Sequence, residues 1–328
     1  MRIWFDALTG KHVRYAVAVA DRLRKENEIV LTTRKHPDTL PLIEFLDEKF
    51  IVTGTYSPAS LLTRLRDGIE RQSFFCRFFE ENPADIAISH GSVDQCRVAF
   101  GLGKTVITTI DTPYADAVNR LTLPLANYVV VSKAIPKEIL QSYGVRGEIV
   151  DFDGVDEVAW IKDFKPAAKY DFGRPLIVVR ELEERAAYAK GKVNLTLLAK
   201  KLTDLGKVVL LSRYERKAFK DLTVPKDFVD SVSLVANADL FIGVGGTITR
   251  EAALQGTPAI IINMFPNQYV NDFLCGKGFP IFRSDYTETL RLAEKLLGKR
   301  RNVKQLLFKL ENPIDIIEKI VKRKIPEG

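Results

Sequence analysis

The sequence predicts an α/β protein made of two doubly wound, parallel-sheet (Rossmann-like) domains. Short apolar runs alternate with helical patterns, and strands that are apolar on both faces are typical of a parallel sheet covered by helices. This alternation lapses between residues 151 and 175, which are rich in Asp, Gly and Pro, and then restarts. A length of 328 residues also exceeds what one ordinary core accommodates.

The elements follow in order. The predicted strands of the first half are 2–6, 28–33, 49–54, 84–89, 105–110 and 127–132, and those of the second half are 176–180, 207–212, 239–244 and 258–262. We therefore predict a first domain at 1–155, a linker at 156–175, a second domain at 176–312 and a basic C-terminal helix at 313–328. Because ligands bind beyond the carboxyl ends of parallel strands, we expect the site in a cleft between the domains.

Composition restricts the class of protein. The chain is 46% hydrophobic and 28% charged, with a net charge of +7. Its three cysteines are far apart, without metal-ligand spacing, and no apolar run approaches the roughly 20 residues of a membrane span. We expect a cytoplasmic protein without a signal peptide. Abundant Lys and Glu with few Met and Cys are typical of a thermophile.

The positive charge is concentrated near the C-terminus. Residues 290–328 carry eleven basic and five acidic side chains. We interpret them mainly as a solvated helix face, with peripheral contact to an anionic membrane as the sharper alternative. We expect no nucleic-acid partner. The segment SFFCRFF at 73–79 leaves a similar choice between core packing and a lipid-facing patch.

A glycine-rich stretch, IGVGGTITREAALQG at 242–256, follows a predicted buried strand. Gly243, Gly245 and Gly246 precede a helix that starts near Thr247 and carries Glu251. Free amides at a helix start attract phosphate, and a carboxylate one turn inside can accept from ribose hydroxyls. The stretch is neither a P-loop nor a GxGxxG motif, and locally it reads equally well as a tight packing turn.

Other polar residues follow predicted strands. Those of the first half are Thr9, Gly10 and His12, then His90 and Ser92, then Asp111, Asp116, Asn119 and Arg120. His12 can act as a general base, although a capping or surface histidine is the commoner outcome, and Asp111 can simply cap a helix. In the second half Arg180 and Arg213 end strands, where guanidinium groups suit phosphate oxygens or are ordinary surface groups.

The whole chain resembles nucleotide-sugar enzymes of the GT-B fold. It is most similar to the predicted glycosyltransferases, largely archaeal, of domain-of-unknown-function family 354. The matching stretches are MRIWFDALTGKHV, ISHGSVDQCRVAFGLG, IDTPYADAVNRLTLPLAN, LIVVRELEE, VVLLSRYER and GVGGTITREAALQGTPAI.

Two better understood relatives, a transferase and an epimerase, indicate the possible functions. In the transferase that adds N-acetylglucosamine to a lipid-linked muropeptide, a TGGHV loop is similar to TGKHV here, which implies His12 as a base. That likeness also implies diphosphate at Gly245, Gly246 and Thr247, and ribose at Glu251. UDP-GlcNAc 2-epimerase has a glycine pair before a helix Glu, which is similar to GGTITRE here. It also has an acidic segment that ends in Asn-Arg, which is similar to residues 116–120.

Departures from these patterns favour the transferase. The epimerase's HGD loop reads HGS here, so an acid is lost at Ser92. The epimerase's histidine after the first strand of the second domain is absent here. The position of its core glutamate resembles that of Asp111, whose side chain is one methylene shorter. The transferase's sugar-contacting segment is only partly similar to FPNQYVND, which includes Asn267 and Gln268. The second glycine of its TGGHV loop is replaced here by Lys11.

The sequence-based hypothesis is therefore an inverting glycosyltransferase that needs neither metal nor cofactor. Its substrate is a nucleotide-diphosphate sugar, UDP-linked by preference, and its acceptor is unknown, with a lipid-linked hydroxyl among the candidates. His12, Asp111 and Asp116 are the predicted catalytic residues. The alternatives are a UDP-GlcNAc 2-epimerase-like or hydrolysing enzyme, and a non-catalytic nucleotide- or lipid-binding protein.

Overall fold

A computed structural model describes residues 1–57, 59–181, 194–212, 219 and 221–323. Its strands are β1 (Arg2–Ala7), β2 (Glu28–Lys35), β3 (Ile51–Thr55), β4 (Ile86–Ser89), β5 (Thr105–Ile110), β6 (Tyr128–Ser132), β7 (Glu148–Phe152), β8 (Leu176–Arg180), β9 (Lys207–Leu211), β10 (Leu240–Gly243), β11 (Ala259–Ile262) and β12 (Ile281–Ser284). Its α-helices are α1 (Gly10–Leu23), α2 (Leu40–Phe45), α3 (Leu61–Phe78), α4 (Val93–Gly101), α5 (Asp116–Thr122), α6 (Lys137–Gln141), α7 (Val158–Ile161), α8 (Leu195–Leu202), α9 (Ser231–Asn237), α10 (Thr247–Leu254), α11 (Tyr269–Gly276), α12 (Thr289–Leu296), α13 (Lys304–Lys309) and α14 (Pro313–Arg323).

Two compact units divide the chain. The first unit comprises Met1–Trp160 and Leu310–Gly328, and the second unit comprises Ile161–Lys309. The chain therefore leaves the first unit once and returns to it at the end. Residues 156–160, which the sequence analysis placed in a linker, belong to the first unit.

The first unit contains a seven-stranded parallel sheet in the order β3-β2-β1-β4-β5-β6-β7. Strand order reverses between β1 and β4, and this is the switch point where open α/β sheets bind ligands. Asp6 pairs with Ser89 at the ends of these two strands. The residues that follow β1 and β4 therefore meet at one position on the carboxyl edge.

The second unit contains a five-stranded parallel sheet in the order β12-β11-β10-β8-β9. Its switch point lies between β8 and β10. Apolar side chains cover both faces of this sheet, with Ile177 and Val179 on one side and Val178 and Phe241 on the other. The predicted fold of two doubly wound α/β domains is confirmed.

Two strands were missed by the sequence analysis. β7 is half-buried over most of its length and forms one edge of the first sheet. β12 forms one edge of the second sheet. Edge strands bury less apolar surface than central ones, so their sequences EIVDF and IFRS lack the continuous apolar run used to recognise the others.

The phenylalanines at 73–79 divide between core and surface. Phe75 and Phe79 are buried and contact Trp4, with ring centroids 4.6 and 4.5 Å apart. Trp4 in turn donates from Nε1 to Thr32 Oγ1 at 2.8 Å. Core packing therefore accounts for the two phenylalanines that the structure buries.

The C-terminal helix α14 packs within the first unit against α1, β6 and β7. Its apolar face is buried through Ile314, Ile317, Ile320 and Val321. Arg22 of α1 pairs with Asp315 and Glu318 at 2.7 and 2.8 Å, while other α14 charges pair with neighbours. The helix thus uses its apolar face inside the unit. None of the described helices is long and apolar enough to cross a bilayer.

Candidate active site

The turn from β1 to α1 begins the candidate site at the switch point of the first sheet. Thr9 occupies the N-cap position of α1 without a side-chain capping bond, and Gly10 is the first helical residue. The Leu8 amide donates to His12 Nδ1 at 3.4 Å. The predicted residues Thr9, Gly10 and His12 therefore lie together at the carboxyl edge.

Lys11 lies at the centre of a buried charged group. Its Nζ is 2.5 Å from Asp111 Oδ2, 2.8 Å from Asp156 Oδ2 and 3.9 Å from Glu157 Oε1. The lysine side chain is 9% exposed, and those of Asp156 and Glu157 are 2% and 0% exposed. Buried carboxylates require pairing, so Lys11 is the cation that makes this arrangement tolerable.

His90 joins the same group from the end of β4. Its Nε2 is 3.2 Å from Asp111 Oδ1 and its Nδ1 is 2.6 Å from Thr109 Oγ1. A carboxylate accepts, so Nε2–H of His90 can donate to Asp111, while the Thr109 hydroxyl shares a hydrogen bond with Nδ1. We call Lys11, His12, His90, Asp111, Asp156 and Glu157 the Lys11 cluster.

His12 contacts His90 edge-on, with ring centroids 4.8 Å apart. Burial, followed by His90 and Lys11, holds the pKa of His12 well below its usual value, so the ring is neutral at pH 7. Because Nδ1 accepts from Leu8, the proton lies on Nε2. Action as a base through Nε2 needs the proton on Nδ1, at the cost of one long hydrogen bond.

Burial also affects two other members of this region. It raises the pKa of Asp156, an effect that Lys11 and His90 partly offset. Burial likewise raises the pKa of the Tyr15 hydroxyl, whose ring lies 6.1 Å from that of His90. Strongly perturbed groups beside a switch point are typical of functional sites.

His90, Asp111 and Asp156 also offer ligand atoms within 4.8 Å of one another, a spacing that could hold a metal ion. However, Lys11 Nζ already contacts two of the same carboxylates. A metal bound there would have to displace the ammonium group. The absence of a metal requirement therefore stays a prediction, which this contact supports.

Ser92 has a structural role at the ends of β1 and β4. Its fully buried hydroxyl donates to Asp6 Oδ2 at 2.5 Å and accepts the Gln95 amide at the start of α4. Asp6 also pairs with Arg71 at 2.7 Å, and Arg71 pairs with Asp94 at 2.6 Å. These bonds fix the ends of β1 and β4, and Ser92 is engaged in them rather than presented to a ligand.

The predicted residues of α5 lie outside the cluster. Asp116 and Arg120 pair with each other at 2.9 Å, with side chains 62% and 70% exposed. Asn119 is buried and donates to the carbonyls of Thr112 and Pro113. Asp116 therefore has no contact that would make it a catalytic acid or base in this conformation, and Asn119 holds the loop after β5.

Sequence reasoning missed Asp156, Glu157, Thr109 and the central position of Lys11. The first two were assigned to the linker because their surroundings are rich in Asp and Gly. A signal was present: Val155 and Val158 flank the acidic pair, and both are fully buried. Two adjacent acids enclosed by valines are atypical of a solvated linker.

In the second unit the glycine stretch forms the turn from β10 to α10. Gly245 and Gly246 have φ of 102° and 101°, a backbone region that favours glycine. A Cβ on Gly245 would collide with Gln268 Oε1, whereas one on Gly246 would meet nothing within 4 Å. Open space thus adjoins Gly246, the N-cap of α10, and Thr247 is half-buried beside it.

Gln268 supports this turn. Its Nε2 donates to the Val244 carbonyl at 3.1 Å, and its Oε1 accepts from Asn271 at 2.7 Å. Asn267 is exposed. The predicted sugar-side residue Gln268 therefore lies against the glycine turn.

Arg180 and the turn are neighbours. Ile242 pairs with Val179, so Arg180 and Gly243 end adjacent strands at the switch point of the second sheet. Glu251 is 1% exposed, and its Oε2 accepts from the Ser231 hydroxyl at 3.2 Å. The carboxylate thus faces the start of α9, and its contact with a ribose stays a prediction. Arg213 lies outside the described residues.

A family model described as "Protein of unknown function (DUF354)" matches residues 1–325, and the chain belongs to this family. A relative from Methanocaldococcus jannaschii, the uncharacterized protein MJ0665, is 29% identical over 338 residues, covering 96% of each chain.

Solved structures share the fold. The UDP-GlcNAc 2-epimerase of Methanocaldococcus jannaschii, in complex with UDP-GlcNAc and UDP, is 15% identical with a TM-score of 0.71, covering 98% of this chain and 100% of its own. The spinosyn forosaminyltransferase SpnP is 14% identical with a TM-score of 0.65, covering 98% and 99%. The glycosyltransferase SnogD from Streptomyces nogalater is 19% identical with a TM-score of 0.59, covering 98% and 99%. The resemblance to GT-B glycosyltransferases and UDP-GlcNAc 2-epimerases is confirmed at the level of fold.

Proposed function

We propose that this DUF354 protein is an inverting glycosyltransferase that moves a sugar from a nucleotide-diphosphate sugar, preferably UDP-linked, to an acceptor hydroxyl. The observation that carries this proposal is the Lys11 cluster. It puts a neutral imidazole, His12, beside fixed carboxylates at the switch point of a doubly wound sheet. A neutral histidine in such a setting is suited to remove a proton near pH 7.

His12 is a better candidate for the base than Asp111. Both carboxylate oxygens of Asp111 are already engaged, one by Lys11 and the other by His90 and Thr112. Asp111 acts on His12 through its charge, which raises the pKa of the imidazole and would stabilise the imidazolium as it forms. This gives His12 the proton-accepting role and Asp111 an electrostatic one.

In the proposed reaction the acceptor oxygen attacks the anomeric carbon and loses its proton to His12 Nε2. The bond from that carbon to the diphosphate oxygen breaks, and the nucleotide diphosphate leaves. The leaving group needs positive countercharge. Gly245, Gly246 and the first amides of α10, with Arg180 on the adjacent strand, are the groups proposed to bind it.

The neighbours support a nucleotide-sugar substrate at the level of analogy. Solved structures with this fold are in complex with UDP-GlcNAc, UDP or dTDP. Fold alone does not determine the sugar. The donor preference and the acceptor therefore have to be determined by experiment.

A donor screen is the first test. Thermal shift and saturation-transfer NMR with UDP-, dTDP-, GDP- and CDP-sugars should identify one nucleotide class that binds. Glu251→Gln and Gly246→Ala should weaken that binding about tenfold or more. If no nucleotide sugar binds, the proposal fails.

A histidine pair tests the catalytic role. His12→Asn keeps an acceptor near the position of Nδ1 but removes Nε2, so we expect transfer to fall by about 10²–10⁴-fold, with donor affinity retained. His36→Asn makes the same change at a histidine whose Nδ1 also accepts a backbone amide, from Asp38 at 3.0 Å. Activity should survive in that control. Equal activity in the two variants would exclude His12 as the base.

An epimerase remains the second candidate because one observation favours it. The epimerase from M. jannaschii overlays this chain more closely than either transferase does. Epimerisation also needs acids and bases, and the cluster contains three carboxylates, of which Asp156 and Glu157 are buried. With UDP-GlcNAc alone in D₂O, an epimerase would release UDP or incorporate deuterium at C2, whereas the transferase would do neither. Nucleotide binding without any turnover would instead favour the non-catalytic alternative.

A further inference from the structure

Two arginines lie at the carboxyl edge of the first sheet, and they differ in how their nitrogens are used. Arg71 is 1% exposed, its Nε donates to the Thr53 carbonyl at 3.0 Å, and its Nη groups pair with Asp6 and Asp94. Arg34, near the end of β2, is half-buried and makes no ion pair with a carboxylate among the described residues. Its Nε is buried and has no hydrogen-bond partner in the same part of the chain. Arg71 therefore has a structural role, whereas Arg34 has donors that are not engaged by the described residues.

The Arg34 guanidinium is held in place by the ring of Tyr56. Its Cζ lies 4.6 Å from the centroid of that ring, and His36 contacts the same ring with centroids 4.8 Å apart. The backbone is also fixed, because the Lys35 carbonyl accepts from the Tyr56 amide at 3.0 Å and the Arg34 carbonyl accepts from the Thr39 hydroxyl at 3.4 Å. A guanidinium stacked in this way loses little freedom when it binds an oxyanion.

Strand register places Arg34 beside the candidate base. β1 and β2 pair through Ala7 and Thr33, so the residues that follow, Leu8 and Arg34, are neighbours at the carboxyl edge. The Leu8 amide donates to His12 Nδ1. Burial is the main cause of the low pKa of His12, and the positive charge of Arg34 adds to it. Arg34 therefore lies close to His12, although it is not a member of the Lys11 cluster.

The strand order separates this cation from the carboxylates of the Lys11 cluster. In the order β2-β1-β4-β5, Arg34 lies on one side of β1, whereas Asp111 follows β5 on the other side. The edge thus has a cationic end and an acidic end, and His12, which follows β1, comes between them. A ligand with a negative group and a hydroxyl could place the first at Arg34 and the second at His12, away from Asp111.

The surroundings of Arg34 disfavour its charge when no anion is bound. Burial and the nearby charge of Arg71 lower the pKa of Arg34, and Asp6 offsets this effect only in part. A guanidinium nevertheless stays protonated in a protein. A partly buried cation with unpaired N–H groups is stabilised by charge-assisted, bidentate hydrogen bonds to a carboxylate or a phosphate.

We propose that Arg34 binds an anionic group of the acceptor, a carboxylate or a phosphate, and so positions the acceptor hydroxyl at His12. The identification of this ligand as the acceptor rests on the proposed function, whereas the anion site itself does not. The acceptor is chosen because the groups proposed for the donor diphosphate lie in the second unit. The substrate class is therefore a hydroxy acid or a hydroxyalkyl phosphate rather than a neutral alcohol.

The test is ligand-observed NMR on the full-length chain with glycerol, glycerate and glycerol 1-phosphate. Saturation transfer should detect at least one of the two anions and should not detect glycerol, and the two anions distinguish a carboxylate from a phosphate. In titrations, Arg34→Gln should weaken binding of that anion about tenfold or more, because it removes the charge-assisted hydrogen bonds. Arg34→Lys keeps the charge without the planar fork and should weaken binding less.

Arg66→Gln is the matched control. It removes an exposed guanidinium from α3 in the same unit, so anion binding should be unchanged. Circular dichroism melting should show that both glutamine variants fold like the parent. If Arg34→Gln melts at a lower temperature, Arg34→Lys provides the comparison with the parent.

Three results would overturn the proposal. The first is that neither anion binds, and the second is equal binding by the parent and the Arg34 variants. The third is displacement of the anion by UDP, which would assign Arg34 to the donor. None of these measurements depends on turnover. A chain that binds the anion through Arg34 but transfers no sugar would refute the proposed function and leave the anion site in place.

Discussion

The carboxyl edges of the two sheets position their polar groups by different means. In the first unit, side chains from three other segments gather around Lys11, whose ammonium group pairs with Asp111 and Asp156. In the second unit, backbone geometry at Gly245 and Gly246 creates the candidate site, and Gln268 supports it. The first edge should therefore respond to changes of charge and pH, and the second to changes of backbone freedom.

The largest effect should come from removing the cation of the first edge. Lys11→Met leaves Asp111, Asp156 and Glu157 without their shared partner, and we expect unfolding free energy to fall by about 3–5 kcal/mol. Urea unfolding followed by fluorescence measures this change. The exposed Lys49→Met should change stability by less than about 0.5 kcal/mol. A small effect of Lys11→Met would show that the carboxylates do not depend on it.

The next effect should appear at the second edge. Gly245→Ala combines an unfavourable positive φ with a collision against Gln268, and we expect a loss of about 2–4 kcal/mol. Gly246→Ala has the same positive φ but open space, so it should cost about 1–2 kcal/mol. Gly276→Ala has neither problem and should be nearly neutral. Equal losses at 245 and 246 would mean that Gln268 does not constrain the turn.

A smaller effect should be visible in the pH dependence of stability. The pKa of His12 is lower in the folded chain than the usual 6.5, so below that pH the unfolded chain binds a proton that the folded chain does not. Stability from this group is complete above pH 6.5 and falls as pH decreases, by at most about 1.4 kcal/mol per unit.

Asp156 acts in the opposite direction. Its raised pKa means that its contribution is lost as pH rises above the usual carboxyl range. Comparing the parent with His12→Asn therefore isolates the histidine, since both retain Asp156. The stability difference between them should shrink as pH falls from 7 to below 6, and a constant difference would contradict the lowered pKa.

Sequence reasoning predicted the fold because the central strands are continuous apolar runs, as in LIVVR and NYVVVS. It predicted the glycine turn because a strand, two glycines and a helix are contiguous. It could not predict which strands are neighbours, and so could not bring Asp156 and Thr109 to His90. Nor could it reveal that Glu251 is buried, since helical spacing alone does not indicate what α9 covers.

The return of the chain to the first unit has a consequence for biosynthesis. Residues 1–160 are synthesised before the second unit, but α14, which covers α1, β6 and β7, is synthesised after it. A nascent chain ending at residue 309 would contain the entire second unit and every residue of the Lys11 cluster, yet it would leave that surface of the first unit open to water. Completion of the first unit is therefore delayed until the second unit has been synthesised.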